Sequence, residues 1–306
     1  MGVAVVGDST LDVTVRPSGP LLPGGDVPAS IVISAGGQGA NVAVRLARRG
    51  IAVRLVSSLA DDAAGQLLRA ALEREGVELT VVEGTATGTV VALIDDHGER
   101  SMISDRAPLD GAEGFADLNA DWLHCSGYPL ANDRSGDALA AMLGERSVAT
   151  RLSVAGGSLE PKPGSAAIFA RRVARAHPDL LLLSRDEATA FLGADEGSMA
   201  AQAAAIAALQ PDALVLVTAG AGGSAAAGLG LSLVAEAAHL DRPMLDATGA
   251  GDAYAAALIA ELGGRTWPPS AADLQRAMAA ASELGARVAR VIGAQARVDG
   301  EAEPLP

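Results

Sequence analysis

The sequence predicts an α/β fold with a doubly wound, mostly parallel central sheet, helices on both faces, and additional short antiparallel strands. Continuous apolar runs, such as residues 3–6 and 180–183, are typical of parallel strands that are buried on both faces. These runs alternate with helix-forming segments such as residues 61–75, which is the pattern of repeated β–α units. Residues 13–35 differ, because prolines interrupt a loose alternation, and they predict short strands outside the main sheet.

The remaining elements follow from local patterns, taken in chain order. Strands are predicted where apolar residues run together or alternate, at 51–59, 77–82, the start of 122–127, 152–155, 180–183 and 213–217. Helices are predicted at 41–50, 61–75, 253–262, 271–283 and 284–291. Residues 85–100 are typical of a hairpin whose turn is Asp-His-Gly at 96–98.

Composition narrows the functional classes. The 306 residues are 49% hydrophobic with a mean hydropathy of +0.27, so the chain is able to bury a large core. A net charge of −14 argues against nucleic acids and acidic membranes as partners. No apolar run reaches the ~18 residues of a membrane helix. The start lacks the basic residues of a signal peptide, and Cys125 has no partner for an internal disulfide, so we expect a cytoplasmic protein.

Lysine usage excludes two classes of phosphotransferase. Lys162 is the only lysine of the sequence, and it lies between two prolines. A P-loop requires lysine within a glycine-rich motif, and a protein kinase requires lysine on a strand. Neither arrangement is present in the sequence.

The most informative stretch is residues 245–254, where a turn rich in small residues leads into an apolar helix. The first N–H groups of such a helix, together with its dipole, form an anion site. Asp252 adds a negative charge where the anion would bind. Two interpretations stay open from these residues alone: Asp252 is a base for a nucleophile that attacks a phosphate, or it only caps the helix.

This stretch carries the motif Asp-x-Thr-Gly-Ala-Gly-Asp at 246–252, and a second motif, beginning Gly-Gly-Gln-Gly-Ala-Asn, covers residues 36–50. In this order and spacing they resemble the two signatures of the ribokinase-like carbohydrate kinases, the phosphofructokinase B family. The resemblance covers essentially the whole chain. It implies one ribokinase-like kinase domain over residues 1–306, with a small β-sheet lid formed by segments of about 13–35 and 86–107.

The resemblance also implies site residues. Asp252 would act as the catalytic base, and the backbone amides of Gly249, Ala250 and Gly251 would stabilise the transferring phosphoryl group. The residues implied to bind the sugar are Asp12, Gly36, Gly37 and Asn41. Without the family, Asp12 would be interpreted as a turn cap, and its role depends on the resemblance.

The nucleotide and metal positions match the family less completely. Thr218, Gly220 and Gly223 fit the motif Thr-x-Gly-x-x-Gly that lines the nucleotide groove. Glu187 matches a glutamate that helps hold Mg²⁺ through water, but Ser184 replaces the asparagine of that motif. The alternative for Glu187 is that it only favours a helix N-terminus.

Two further departures or ambiguities concern single residues. Ala155 and the glycines after it stand where many relatives carry an aspartate, which puts that family contact in doubt. Asp246 matches a carboxylate that binds K⁺ in many relatives, and a turn cap is the alternative.

The implied function is ATP-dependent phosphorylation of a hydroxyl on a small sugar or sugar derivative, with Mg²⁺ and, as a weaker expectation, K⁺. The alternatives are a nucleoside kinase of the same fold and a non-catalytic sugar or nucleotide sensor. Aromatic residues make up 2% of the chain, which favours a sugar over a base-stacking pocket. An exposed lid edge predicts a homodimer through the lid. Arg106 is expected to be a solvated loop residue, with an anionic substrate group as the alternative partner.

Overall fold

The computed structural model describes residues 1–95, 100–109, 120–157, 159, 164–239 and 244–302. Its main sheet has nine strands in the order β13-β12-β11-β10-β9-β8-β1-β4-β5. The strands are β1 Gly2–Val6, β4 Ala52–Leu59, β5 Glu78–Glu83, β8 Trp122–Cys125, β9 Arg151–Ala155, β10 Leu180–Ser184, β11 Leu214–Thr218, β12 Ser224–Gly228 and β13 Leu231–Ala235. All neighbours from β5 to β11 pair in parallel, and β12 and β13 add an antiparallel edge.

The helices of the described residues cover both faces of this sheet. They are α1 Gln38–Ala47, α2 Ala63–Arg74, α3 Gly127–Ala131, α4 Gly136–Gly144, α5 Ser165–Ala176, α6 Arg185–Leu192, α7 Met199–Leu209, α8 Ala250–Leu262 and α9 Ala271–Val288. Alternate residues of one strand enter different cores: Leu180 and Leu182 pack with the α1, α8 and α9 layer, whereas Leu181 and Leu183 pack with the α4, α5 and α7 layer. Burial on both faces explains why β10 is continuously apolar. The doubly wound α/β fold is confirmed.

A separate four-stranded sheet has the order β3-β2-β6-β7. Its strands are β2 Thr10–Pro17, β3 Ala29–Gly36, β6 Gly88–Ile94 and β7 Arg100–Asp105. The β2–β3 and β6–β7 pairs are antiparallel, and β2 pairs with β6 in parallel. The strands expected outside the main sheet are therefore found there. The expected turn at 96–98 lies outside the described residues.

Three details differ from the sequence-based expectation. Helix α1 begins at Gln38 rather than at Asn41, because Gly37 adopts φ 97°, a conformation that ends the preceding strand. The two helices expected at 271–291 form one helix, α9, whose buried residues keep a single helical face across the predicted break. The β12–β13 hairpin was not expected, because its alanine-rich strands carry little β-strand signal.

Among the described residues, no helix is both long enough and apolar enough to cross a lipid bilayer. The lone cysteine, Cys125, is buried in β8 and free, and burial raises the pKa of its thiol. His124 beside it is also buried, which lowers the pKa of its imidazole to about 4 and keeps the ring neutral. Both residues therefore belong to the core, as their apolar surroundings in the sequence predict.

Candidate active site

The predicted base lies in the first turn of α8. The N-cap is Gly249, at φ 77°, and no side chain caps the helix. A Cβ added at Gly249 would lie 2.8 Å from the Cβ of Ala294, so the turn requires glycine. A Cβ added at Gly251 would meet nothing within 4 Å, so open space lies beside this turn. The start of α8 therefore combines unshielded helical N–H groups with room for a ligand.

Asp252 is held by a side-chain chain of hydrogen bonds. Asn41 Nδ2 donates to Asp252 Oδ2 at 2.7 Å, and Gln295 Nε2 donates to Asn41 Oδ1 at 3.1 Å. Asp252 is partly accessible to solvent, but most of its carboxylate is surrounded by protein, which disfavours its charged form. Burial, assisted by the negative charges of Asp8 and Glu187, raises the pKa of Asp252 to about 7. A carboxylate with this pKa is able to accept a proton near neutral pH.

The second predicted carboxylate, Asp12, lies on β2 in the small sheet. Thr10 Oγ1 donates to Asp12 Oδ1 at 2.7 Å, and burial raises the pKa of Asp12. A Cβ added at Gly36 would lie 2.0 Å from Asp12 Oδ2, and one added at Gly37 would lie 2.5 Å from the carbonyl oxygen of Asp8. The close approach that these glycines permit is thus to their own chain, and Gly36 makes the space that the Asp12 carboxylate occupies.

Arg106 joins the small sheet to the main sheet. Its Nη1 forms an ion pair with Asp8, which follows β1, and its guanidinium carbon lies 3.6 Å from the centre of the Tyr128 ring. Only 17% of the Arg106 side chain is exposed. The expectation of a solvated loop arginine was therefore wrong, because tertiary packing provides both a carboxylate and an aromatic face.

A cavity of about 570 Å³ opens between β7 and the main sheet. Its lining includes the polar residues Asp8, Ser104, Arg106, Tyr128, Asn132 and Ser165. Asp12, Asn41 and Asp252 lie outside this lining. Asp8 connects the two groups, because its charge raises the pKa of both Asp12 and Asp252.

Glu187 lies in the first turn of α6 and closes a capping box. The backbone N–H of Ser184 donates to Glu187 Oε2 at 2.7 Å, and the backbone N–H of Glu187 donates to the Ser184 hydroxyl at 3.2 Å. A Cβ added at Gly156 would lie 2.3 Å from the Glu187 carboxylate, so the glycine after Ala155 leaves space for this side chain. Burial raises the pKa of Glu187.

The predicted nucleotide residues lie at the C-terminal end of β11 and in the loop that follows it. Thr218 ends β11, and Gly220 begins a 3₁₀ turn, Gly220–Gly222. Gly223 has φ 87°, and a Cβ there would lie 2.3 Å from the carbonyl oxygen of Ala235. This loop is shaped by its packing against the end of β13. A Cβ at Gly220 would meet open space.

Asp246 lies just before the α8 turn in a segment without regular structure. Its Oδ1 accepts a hydrogen bond from the Thr248 backbone at 2.9 Å, and its Oδ2 accepts one from the Gly293 N–H at 2.9 Å. The carboxylate thus joins the turn before α8 to the segment after α9. These bonds fit the turn-cap alternative for this residue.

Sequence analysis identified most of this constellation but did not single out three contributors, Asp8, Gln38 and Gln295. Gln38 bridges two loops, because its Nε2 donates to Gly156 O and its Oε1 accepts from Gly127 N–H, both at 2.8 Å. No local sequence signal marks Gln295, because its partner lies on α1. No group of three or more metal-binding side chains occurs in the described part of the chain.

The chain is similar to known proteins both in sequence and in fold. The family model described as pfkB family carbohydrate kinase matches residues 2–299. A fructokinase from Klebsiella pneumoniae is 31% identical over 314 residues, covering 95% of this chain and 94% of its own length. An ATP-dependent ribose-1-phosphate kinase from Halopiger xanaduensis is 29% identical over 320 residues, covering 98% and 96%. The crystal structure of a Cryptococcus neoformans ribokinase in complex with ADP has a TM-score of 0.77 at 23% identity, covering 96% and 94%.

Proposed function

The chain belongs to the pfkB family of carbohydrate kinases, and we propose that it transfers the γ-phosphate of ATP to a hydroxyl of a small sugar or sugar derivative with Asp252 as the base. The observation that carries the base assignment is the first turn of α8. It combines a carboxylate whose pKa is raised to about 7 with adjacent space at Gly251 and no side-chain cap. The domain is the whole of residues 1–306, and segments 13–35 and 86–107 form its lid.

In this mechanism the substrate hydroxyl lies against Asp252, which accepts its proton as the oxygen attacks phosphorus. The amides of Gly249, Ala250 and Gly251 stabilise the charge on the transferring phosphoryl group, because the N-terminus of α8 carries partial positive charge. The Ala250 N–H also donates to the carbonyl oxygen of Ala247 at 3.2 Å, so its bond to a phosphoryl group would be shared. The hydrogen bond from Asn41 keeps the carboxylate oriented and partly offsets the cost of its burial.

Sugar recognition is assigned to Asp12, Asn41 and the backbone at Gly36 and Gly37. Asp12 is buried enough to be pre-organised, and only one of its oxygens is engaged by Thr10. Asn41 is 4% exposed and already oriented by two partners. A pre-organised carboxylate and amide suit the hydroxyl groups of a sugar.

Mg²⁺ would be held mainly by ATP, and Glu187 would help to hold it through a bound water. Glu187 fits this role, because Ser184 N–H donates to its Oε2 and no backbone N–H of the described residues donates to its Oε1, which could accept from a water bound to the ion. Bound Mg²⁺ would supply positive charge that offsets the charge of the ATP phosphates. Thr218, Gly220 and Gly223 would line the nucleotide groove, with open space at Gly220.

K⁺ at Asp246 is the weaker metal assignment. Both oxygens of this carboxylate already accept hydrogen bonds from backbone N–H groups. An ion bound there would act by fixing the turn before α8. Activity that is unchanged when K⁺ is exchanged for a large organic cation would remove the assignment.

A nucleoside kinase is the nearest rival, since enzymes of one fold act on different substrates. Such an enzyme requires an aromatic or apolar face on which the base stacks. Tyr128 lines the cavity, but Arg106 already covers its ring. This contact favours a sugar as the phosphate acceptor.

The lid is proposed to pair two copies of the chain. Apolar residues of its strands are more than half exposed, including Ile31 at 59%, Ile33 at 58% and Ile103 at 61%. Pairing would bury this surface and cover the open edges of the small sheet. We further propose that this homodimer acts in the cytoplasm, where ATP is available and the buried Cys125 stays reduced.

The test of the function is ADP release, measured with a coupled assay across a panel of sugars, sugar acids, sugar phosphates and nucleosides. ATP-dependent turnover of a sugar is the expected result. Turnover of nucleosides alone would establish the rival. Binding of sugars with no turnover would indicate a sensor instead.

A further inference from the structure

Gln295 is the outermost member of the hydrogen-bond chain that ends on Asp252. Its Nε2 lies 3.1 Å from Asn41 Oδ1, and Asn41 Nδ2 lies 2.7 Å from Asp252 Oδ2. A side-chain amide has one accepting oxygen and one donating nitrogen. A donor placed against Asn41 Oδ1 therefore directs the Asn41 nitrogen toward the carboxylate.

Without that donor, Asn41 would have two orientations of nearly equal shape. Rotation of the amide by half a turn would place its oxygen against the negatively charged Asp252, and the carboxylate would lose its donor. Gln295 disfavours this second orientation, because its own donor would then face the Asn41 nitrogen. The orientation of Asn41 thus depends on Gln295 as well as on Asp252 itself.

The backbone around Gln295 is fixed by two buried arginines, Arg45 of α1 and Arg48, the C-cap residue of this helix. Arg45 donates to the carbonyl oxygens of Ala294 at 2.7 Å and Ala296 at 2.9 Å, and Arg48 donates to that of Gln295 at 2.9 Å. Three consecutive carbonyls are therefore held by the helix that also carries Asn41. Glu301 balances both charges, at 2.6 Å from Arg45 and 3.2 Å from Arg48.

The spacing along α1 explains why this arrangement is rigid. Asn41, Arg45 and Arg48 are separated by four and three residues, so they share one face of the helix. The segment 294–296 packs along that face, with the Gln295 side chain beside Asn41. A single helix thus fixes both partners of the Gln295–Asn41 hydrogen bond.

We propose that Gln295 is a positioning residue for phosphoryl transfer, which orients Asn41 so that its amide donates to Asp252. The inference rests on the proposed function of Asp252 as the base. Gln295 itself contacts neither the base nor the reacting atoms.

Other charges face Asp252 and enter any pH dependence. Asp8, after β1, and Glu187, on α6, favour protonation of the carboxylate, whereas Arg106, from the small sheet, opposes it. Arg45, on α1, also senses the charge of Asp252. Gln295→Met leaves all of these charges unchanged, so its difference from the parent reports on the hydrogen-bond chain, whereas Gln295→Glu also adds a negative charge.

The variant with the largest expected effect is Gln295→Glu, which keeps size but has no proton to donate when ionised. Its carboxylate would attract the Asn41 nitrogen, and the Asn41 oxygen would turn toward Asp252. The base would then hold its proton to higher pH. We expect kcat at pH 7 to fall about 10- to 100-fold, the range of one hydrogen bond to a charged group, and to recover toward the parent value at alkaline pH.

Gln295→Met and Gln66→Glu complete the series. Gln295→Met removes the donor without adding charge. The acidic limb of its kcat–pH profile should also shift to higher pH, but by less than in Gln295→Glu. Gln66, exposed on α2, makes the same change of charge far from the site, and Gln66→Glu should match the parent. A kcat and acid limb of Gln295→Glu within about twofold of the parent, well below that hydrogen-bond range, would overturn the proposal. So would a loss that is equal at every pH and accompanies a lower Tm.

A titration that needs no turnover separates this inference from the function. The side-chain amide signal of Asn41 in a ¹⁵N NMR spectrum, identified by its absence in Asn41→Ala, should follow the ionisation of Asp252. Its midpoint should lie at higher pH in Gln295→Glu than in the parent. Equal midpoints would overturn the role of Gln295. A parent enzyme that phosphorylates none of the tested acceptors would refute the function, whatever the midpoints are.

Discussion

Helices α6 and α8 both carry an acidic residue at the third position of the first turn, but the two carboxylates have different partners. In α6, Glu187 turns back to the N-cap Ser184 and completes a capping box. In α8, the N-cap is Gly249, no side chain caps the helix, and Asp252 accepts its hydrogen bond from Asn41 on α1. The first helix satisfies its own N-terminus, whereas the second leaves its N–H groups and nearby space for a ligand.

The comparison teaches that an acidic residue near a helix start does not by itself identify a cap or a base. Burial raises the pKa of both carboxylates. What separates them is the hydrogen-bond partner of the side chain. Glu187 accepts from the backbone N–H of its own N-cap, Ser184, whereas Asp252 accepts from Asn41 on another helix.

The largest effect is expected from Asp252→Asn, which tests whether Asp252 is a base or only caps α8. Asparagine keeps the size of the side chain but accepts no proton, so kcat should fall ~10²–10⁴-fold while sugar and nucleotide binding survive. Steady-state kinetics measure kcat, and ligand titration measures sugar and nucleotide binding. Asp186→Asn, which removes an exposed first-turn carboxylate from α6, is the matched control and should retain activity. An Asp252→Asn enzyme as fast as the parent would end the base assignment.

Asp12→Ala sharpens the comparison by testing the sugar end of the site separately from the phosphate end. A carboxylate that accepts two hydroxyl bonds contributes roughly 1.5–3 kcal/mol per bond, so the KM for sugar should rise more than about tenfold. The KM for ATP should change far less, because Asp12 lies on the small sheet. Equal changes in both constants would instead point to a folding defect.

The pH dependence tests the electrostatic half of the comparison. With the pKa of Asp252 raised to about 7, kcat/KM should fall about tenfold per pH unit below that value, because the base becomes protonated. Stability should show the opposite preference. The folded state binds a proton at Asp252 that the unfolded chain has released, so the contribution of Asp252 is greatest at low pH and is lost as pH rises through about 7.

Thermal unfolding of the parent and of Asp252→Asn across this pH range measures the stability effect. The parent should lose Tm relative to the asparagine variant as pH rises from about 4, the ordinary pKa of an aspartate, toward 7. A constant difference between the two proteins would contradict the raised pKa.

Ser184→Ala should produce the smallest effect and test the capped side of the comparison. Loss of the hydroxyl removes one half of the capping box and should lower the free energy of unfolding by about 1 kcal/mol. The bond from the Ser184 backbone N–H to Glu187 remains, so kcat should stay close to that of the parent. A large loss of kcat with unchanged Tm would show that α6 contributes more to the site than a cap.

Sequence patterns predicted the parallel sheet because burial on both faces leaves a continuous apolar run, as in β10. They predicted the α8 turn because small residues directly before an apolar segment are a local signal of a helix start. Arg106 was misjudged for the opposite reason. Its partners, Asp8 and Tyr128, come from distant parts of the chain, and nothing beside Arg106 in sequence announces them.

The sequence by itself therefore determined the fold class, the family and the turn that begins α8. Tertiary structure alone decided which side chain faces which. It set Asp252 against Asn41 and brought Gln295 beside Asn41 from the far end of the chain. Local patterns record backbone conformation and burial, which neighbouring residues share. A hydrogen bond between residues hundreds of positions apart depends on how whole layers pack, and no stretch of sequence contains that information.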